Sequence, residues 1–310
     1  MVRQHVRRLE GEGLPNLHDV TCFAVTTNRD RLVVQILSGN VAPPLVPSSL
    51  YDVGHDGVPR ILPSVGGITL NVRVGDGAFA YEADHIEPAV SARHPDDRLN
   101  IGFCTFACLG NVATVTSGEA KGARGVVTGK HGGVEHVLID FTPDDMERMQ
   151  IGDGIAIRAV GVGLALADSA DVKLFNCDPD LFERLGIERR EGRLRVPVAK
   201  IVPARVMGSG LGRQTVARGD YDIQCFDPAT VREFGLDGLR LGDLVAIRDA
   251  DNSFGRIYRS GAVSIAVVSH GQSYIAGHGP GVTTLMTSAS GAIEPVVDAR
   301  ANLATILGLR

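Results

Sequence analysis

The sequence contains no tryptophan, and its aromatic residues amount to only 5% of 310. It also lacks long apolar runs. The longest, such as "GAVSIAVV", are strand-sized and far below the ~18 residues that a membrane-spanning helix needs. The start of the chain, "MVRQHVRRLEGEG", is basic but has no apolar stretch of the signal-peptide kind. The five cysteines, Cys22, Cys104, Cys108, Cys177 and Cys225, are odd in number and form no C-x-x-C pair, which argues against a disulfide framework and against a closed thiolate metal site. Reduced thiols in a cytoplasmic protein are the expectation. There is no excess of positive charge either. A net charge of −5 and a pI near 6.0 give no general attraction to phosphate backbones or anionic lipid, so nucleic acid and membrane partners are disfavoured.

Glycine is what the chain has in quantity, at 38 residues. With few long periodic apolar runs, that density predicts many short strands joined by tight turns. Hydrophobic residues at 44% and charged residues at 22% are an ordinary folded balance. The length fits about two domains or one large β-rich one.

Two internal repeats organise the chain. In "DFTPDDMERMQ", "NCDPDLFERLG" and "QCFDPATVREFG", Thr142, Asp178 or Asp227 stands where a helix N-cap would accept from the first free amides, and Pro143, Pro179 or Pro228 follows at the first helical position. Apolar residues three and six positions after each proline share one helical face, and Gly186 and Gly235 supply left-handed stops. Three short helices are predicted. The second repeat, "VGDGAFAY", "IGDGIAIR" and "LGDLVAIR", runs from a Gly-Asp turn into an alternating strand, with Asp76, Asp153 and Asp243 bonding turn amides as structural residues. Such boxes resemble the Gly-Asp turns of small double-psi and related barrels.

Together the repeats predict a mainly β protein with short helices, arranged as two barrel-like halves. The expected domains are residues 1–167 and 168–310, with a Pro/Gly-rich connection or lid at 40–66.

The strings "ACLGNVATVTSGEAKGARGVVTGKHGGVEHVLIDF", "GDLVAIRDADNSFGR" and "AGHGPGVTTLM" resemble a prokaryotic family of unknown function whose N- and C-terminal parts are treated as separate units. The resemblance implies a soluble, barrel-containing and oligomeric protein. It brings no activity, cofactor or catalytic residue.

Candidate chemistry lies in glycine-rich segments. In "VSHGQSYIAGHGPGVTTLMT", alternation suggests a hairpin with His270 and His278 as much as ~25 Å apart, too far to share a metal. His278 is the stronger candidate, as a general acid/base. Gly277, Gly279 and Gly281 would bring backbone amides to an anion, and Thr283 and Thr284 would add hydroxyls. The alternative is a tight turn whose histidine caps a carbonyl. His270, with one glycine beside it, is expected to matter less.

His131 is a second catalytic candidate and Lys130 a ligand contact, while His131 and His136, read as one strand, face opposite sides. A divalent metal would be held by Asp249 and Asp251, or by His85 and Glu87 on one strand face. Solvated charged segments explain both pairs equally simply. Cys104 and Cys108 read as buried thiols, with Cys108 a minor candidate nucleophile.

The leading functional expectation is an enzyme hydrolysing an amide, lactam or ester of a small polar metabolite, with a metal assisting. The alternatives are a non-catalytic binder of small anions and an RNA- or ribosome-associated module using Lys121, Arg124 and Lys130.

Overall fold

The computed structural model describes residues 25–45, 51–210 and 215–310. The basic N-terminal segment, Cys22 and residues 46–50 of the predicted connection lie outside them. The described protein is mostly β, with five short α-helices among the described residues. No described helix is long and apolar enough to cross a membrane.

Six strands close into a barrel. Gln35–Val41 pairs with Gly154–Ala159, which pairs with Val112–Val115, then Arg124–His131, His136–Asp140 and Ala89–Arg93, and the last returns to Gln35–Val41. Ile155 and Ile157, two apart as the Gly-Asp alternation requires, point into it beside Val137, Ile139, Val90 and Val127. Each such side chain removed from water stabilises by roughly 1.5–3 kcal/mol.

The second half is an open half-barrel. Its path runs through Lys200–Pro203, Leu244–Asp251, Ile257–Val268, Gly281–Ser288, Tyr221–Ile223 and Met207–Gly210. Both faces of this sheet are covered: Leu244 and Ala246 join one apolar cluster, Val245 and Ile247 another. That explains why Gly281–Ser288 is buried at every position. A strand buried on both faces reads as a continuous small-apolar run, without alternation.

The three proline-led helices form as the caps predict, over Pro143–Arg148, Pro179–Arg184 and Pro228–Phe234. Thr142, Asp178 and Asp227 each accept a first-turn amide, and Gly235 closes the last helix at φ 60°. The Gly-Asp boxes divide. All three aspartates bond the amide three residues back, Asp76 to Arg73, Asp153 to Gln150 and Asp243 to Arg240. Two boxes open strands, at Gly154 and Leu244. The box at Gly75 does not: its chain continues in turns, held by amide bonds from Ala78 to Leu239 and from Gly75 to Leu241.

The two halves meet where the Arg124–His131 hairpin end touches the strand from Gly281. Thr283 Oγ1 accepts from the Lys130 amide at 3.0 Å and donates to the Lys130 carbonyl at 3.1 Å, and Ser269 packs on Gly129.

Candidate metal centre

Six titratable side chains converge at this seam. His131 ends a barrel strand, and its partner His136 begins the next across the turn Gly132–Gly133. Asp220 and Asp222 flank Tyr221, so strand alternation sends both carboxylates to one side. His270 and His278 come from the loop between Ile257–Val268 and Gly281–Ser288, and His85 from the turn-rich segment before Ala89.

They sort into two groups among the described residues: His85, Asp222 and His278, and His131, Asp220 and His270. Within each, one ligand-type atom from every side chain lies within 4.8 Å of the other two. In the first, Asp222 Oδ2 is 2.9 Å from His278 Nδ1 and 3.7 Å from His85 Nε2, while the two imidazole nitrogens are 3.0 Å apart. In the second, His131 and His270 stack with ring centroids 4.0 Å apart. Asp222 also joins the groups, with Oδ1 at 3.6 Å from His270 Nε2.

The outward nitrogens of three of these histidines are already committed. His85 Nδ1 meets Asp84 Oδ2 at 2.7 Å, His131 Nδ1 meets Glu87 Oε1 at 2.6 Å, and His270 Nδ1 meets the Gly271 carbonyl at 2.9 Å. A proton at Nδ1 leaves Nε2 with its lone pair facing the cluster, the orientation that second-shell acceptors impose on metal-binding histidines. Glu87 is itself saturated, accepting also from the Gly66 amide, Ser91 Oγ and His136 Nδ1. Burial would raise its pKa, but His136 and His131 hold it well below the ordinary carboxylate range. Burial, aided by the neighbouring His270, lowers His131 and keeps it neutral. His270 goes the other way: against burial, Asp220 and Asp222 hold it well above an ordinary imidazole. The seam demands positive charge at His270, as a proton or as a cation.

The geometry leaves room for a cation. His270 Nε2 and Asp220 Oδ2 are only 2.8 Å apart, yet both are buried and neither has a hydrogen-bond partner among the described residues. Asp220 Oδ1, by contrast, is satisfied by the Gly132 amide at 2.7 Å. Two close, buried polar atoms without a hydrogen bond are costly unless a positive charge, a proton or a cation, lies between them. Gly281 leaves that space open. A Cβ there would stand 2.0 Å from His270 Nε2 and 2.3 Å from Asp220 Oδ2.

Two cavities open onto the cluster. One, of about 270 Å³, is lined by His85, His131, Asp220, Asp222 and His278 together with Arg218. The other, of about 380 Å³, shares His85, His131 and His278 and is walled by Leu45, Val65, Val134 and Ile275 together with Asp52 and Asp84.

The sequence matches two family models, a domain of unknown function (DUF4438), N-terminal, over residues 51–183, and its C-terminal counterpart over residues 184–307. The chain belongs to the DUF4438 family. It is similar to a crystal structure of TM1086, with 47% identity over 90% of this chain and 98% of that one, and a TM-score of 0.87. No curated protein gives a significant match.

On this DUF4438 fold the predicted site residues scatter. His85, His131 and His278 meet in the cluster. Asp249 and Asp251 do not: Asp249 sits at a bulge with φ 61°, its Oδ1 accepting from the Gly261 amide, and Asp251 accepts from the Ser253 amide. His85 and Glu87 share no strand face, because His85 has φ 54° and Glu87 is bonded to His131 and His136 on the barrel side.

Lys130 is fully buried, its ammonium spent on Asn176 Oδ1 at 2.7 Å and the Ala217 carbonyl at 2.6 Å, so it lines neither cavity and offers no phosphate contact. Thr283 ties the two halves, and Thr284 Oγ1 accepts from Asn252. The glycines have separate reasons. Gly277 takes φ 85°, a Cβ on Gly279 would strike the Ile223 carbonyl at 1.9 Å, and only Gly281 clears the cluster. The His278 amide itself donates to the Ile275 carbonyl, so it is not free for an anion.

Two further expectations are overturned by chain reversal. The segment 269–280 is a folded-back loop rather than a hairpin, which brings His270 and His278 onto the same carboxylate, Asp222. His131 and His136 are cross-strand partners on Glu87 rather than opposite faces of one strand. Asp220 and Asp222 were missed, although the spacing "DYD" between two strands was the available signal. Burial pushes the thiols up, Cys104 to about 12 and Cys108 to about 11, which removes Cys108 as a nucleophile.

Proposed function

We propose that the protein is a metal-dependent hydrolase acting on a small polar substrate, with two divalent cations held side by side by His131, Asp220 and His270 and by His85, Asp222 and His278. The observation that carries this reading is the unbonded pair His270 Nε2 and Asp220 Oδ2, with Gly281 clearing the space against them. Two histidines and one carboxylate per ion leave positions for water and substrate, as catalytic rather than structural sites do. Asp222, with one oxygen towards each group, would be the carboxylate shared by the two ions.

Paired cations suit hydrolysis. Divalent cations held by these residues would lower the pKa of a bound water to about 7 and polarise a carbonyl. The oxygen of that water would bond to the carbonyl carbon as the C–N or C–O bond breaks, and the proton lost by the water would go to the leaving nitrogen or oxygen. The substrate is an amide, lactam or ester in this reading. His278, expected from sequence as an acid/base group, and His131, expected as a catalytic residue, act here as ligands.

The test is turnover of an amide and ester panel by protein loaded with Zn²⁺ or Mn²⁺. Hydrolysis that disappears with a chelator and returns with the ion supports the proposal. Saturable binding of small anions with no product would favour the non-catalytic binder instead. A cytoplasmic homo-oligomer belongs to the same proposal, in keeping with the exposed Val33 and Ile36 at the barrel edge; light scattering on the purified protein tests its assembly.

A further inference from the structure

We infer that the substrate presents an oxyanion, carboxylate or phosphate, to Arg218 across the smaller cavity from the His/Asp cluster. The inference rests on the metal-hydrolase reading of that site and names the class of molecule it would take.

Arg218 lines the same cavity of about 270 Å³ as His131, Asp220 and Asp222. Its side chain is about one-fifth exposed (21%), and its polar contact among the described residues is Nε to Glu135 Oε2 at 3.9 Å. That distance is too long for a hydrogen bond. Its terminal nitrogens have no hydrogen-bond partner among the described residues, which leaves the planar fork free for a bidentate acceptor.

The backbone beside it is fixed from both sides. The Lys130 ammonium donates to the Ala217 carbonyl, Asn176 Nδ2 donates to the Val216 carbonyl at 2.8 Å, and the Ala217 amide donates to Thr215 Oγ1 at 3.1 Å. Gly219 lies against Gly132, where an added Cβ would come within 3.2 Å of the Gly132 Cα. A guanidinium on so tightly held a loop is in place before a ligand arrives, and less freedom is lost on binding. Ser209 and Thr215 add hydroxyl-bearing side chains to the same wall.

The other cavity decides the orientation. Its lining sets Leu45, Val65, Val134 and Ile275 beside the carboxylates of Asp52 and Asp84, which repel a second negative charge, so the anionic end of the substrate lies towards Arg218 and the other end away from it. The hydrolysed bond then sits between them, over the cluster.

The experiment uses metal-loaded full-length protein with inorganic phosphate as probe, and acetate as a second probe. Arg218→Gln is expected to weaken phosphate binding at least tenfold while its metal content stays that of the wild type, and Arg218→Lys should fall between. Parallel loss for acetate assigns a general oxyanion site, and loss for phosphate alone assigns a phosphorylated substrate. Equal affinity of Arg218→Gln and wild type for both probes overturns the inference while leaving the metal reading intact. Absence of bound metal with Arg218-dependent phosphate binding does the reverse. If Arg218→Gln fails to fold, phenylglyoxal labelling of the wild type decides: phosphate should protect the Arg218 peptide in mass spectra, and equal labelling with and without phosphate overturns the assignment.

Discussion

His270 Nε2 stands 2.8 Å from Asp220 Oδ2 in the interior of the protein, and the two are not hydrogen-bonded to each other or to any other described residue. In a low-dielectric setting such a pair is a site for a cation or a source of instability. The proposal takes the first. Four carboxylates, Asp84, Glu87, Asp220 and Asp222, contact the four histidines of the cluster.

Gly281→Ala is the most local probe of the space between them. The new methyl must displace the His270 ring or the Asp220 carboxylate, since it would lie 2.0 and 2.3 Å from them. Zn²⁺ affinity, measured by competition with a chromophoric chelator, is expected to fall about tenfold or more, the equivalent of ~1.4 kcal/mol. Unchanged affinity would mean that no ion uses that space.

His278→Ala and His270→Ala should separate stability from metal binding. The His278 side chain is one-third exposed (33%), and its removal should change stability by only about 0.5 kcal/mol while costing affinity for one ion. His270 is fully buried against two carboxylates, and its loss leaves buried acids unpaired at a cost of roughly 3–5 kcal/mol. Thermal melts and metal titrations of the two variants check this order. Equal destabilisation would contradict the placement of His278 at the cavity mouth.

Asp76 tests the structural reading of the Gly-Asp turns. Burial would raise its pKa, but Arg310, the Arg73 amide and the Tyr81 hydroxyl more than offset this and lower it. A carboxylate depressed in the folded state stabilises above its unfolded pKa and loses that contribution as pH falls through the folded value. Asp76→Asn should therefore cost on the order of 1 kcal/mol at neutral pH, a modest figure because the pair with Arg310 is partly solvated. The deficit should shrink once pH drops below the ordinary 3.8. A deficit that is the same in acid would assign the effect to turn geometry and not to charge.

Local features of this fold were legible in the sequence because their causes are local. A cap followed by proline specifies a helix start within three residues, and Thr142, Asp178 and Asp227 cap as expected. Ile155 and Ile157 enter the barrel because alternation fixes their face. The box at Gly75 shows the limit: Ala78 and Ala80 alternate like a strand, but pairing stops at one antiparallel bridge between Gly77 and Arg240, and the Ala80 amide turns back to the Gly77 carbonyl.

The site was legible only in part, because it is assembled by chain reversals and by contacts between the two halves. A run of glycines announced that bulk was being removed near His278, yet nothing local told Gly281, which clears the cluster, from Gly279, which clears the Ile223 carbonyl. Separations of 193 residues between His85 and His278, and 44 between Glu87 and His131, leave no periodic trace. Asp220 and Asp222 alternate with the core residues Tyr221 and Ile223, but a strand of three residues is too short for that alternation to stand out.

Metal stoichiometry tests the central claim most directly. Protein equilibrated with Zn²⁺ or Mn²⁺, freed of loose ions by gel filtration and analysed by inductively coupled plasma mass spectrometry, should carry two ions per chain. His270→Ala should carry no more than one. A folded wild-type chain that retains no ion under these conditions would contradict the account.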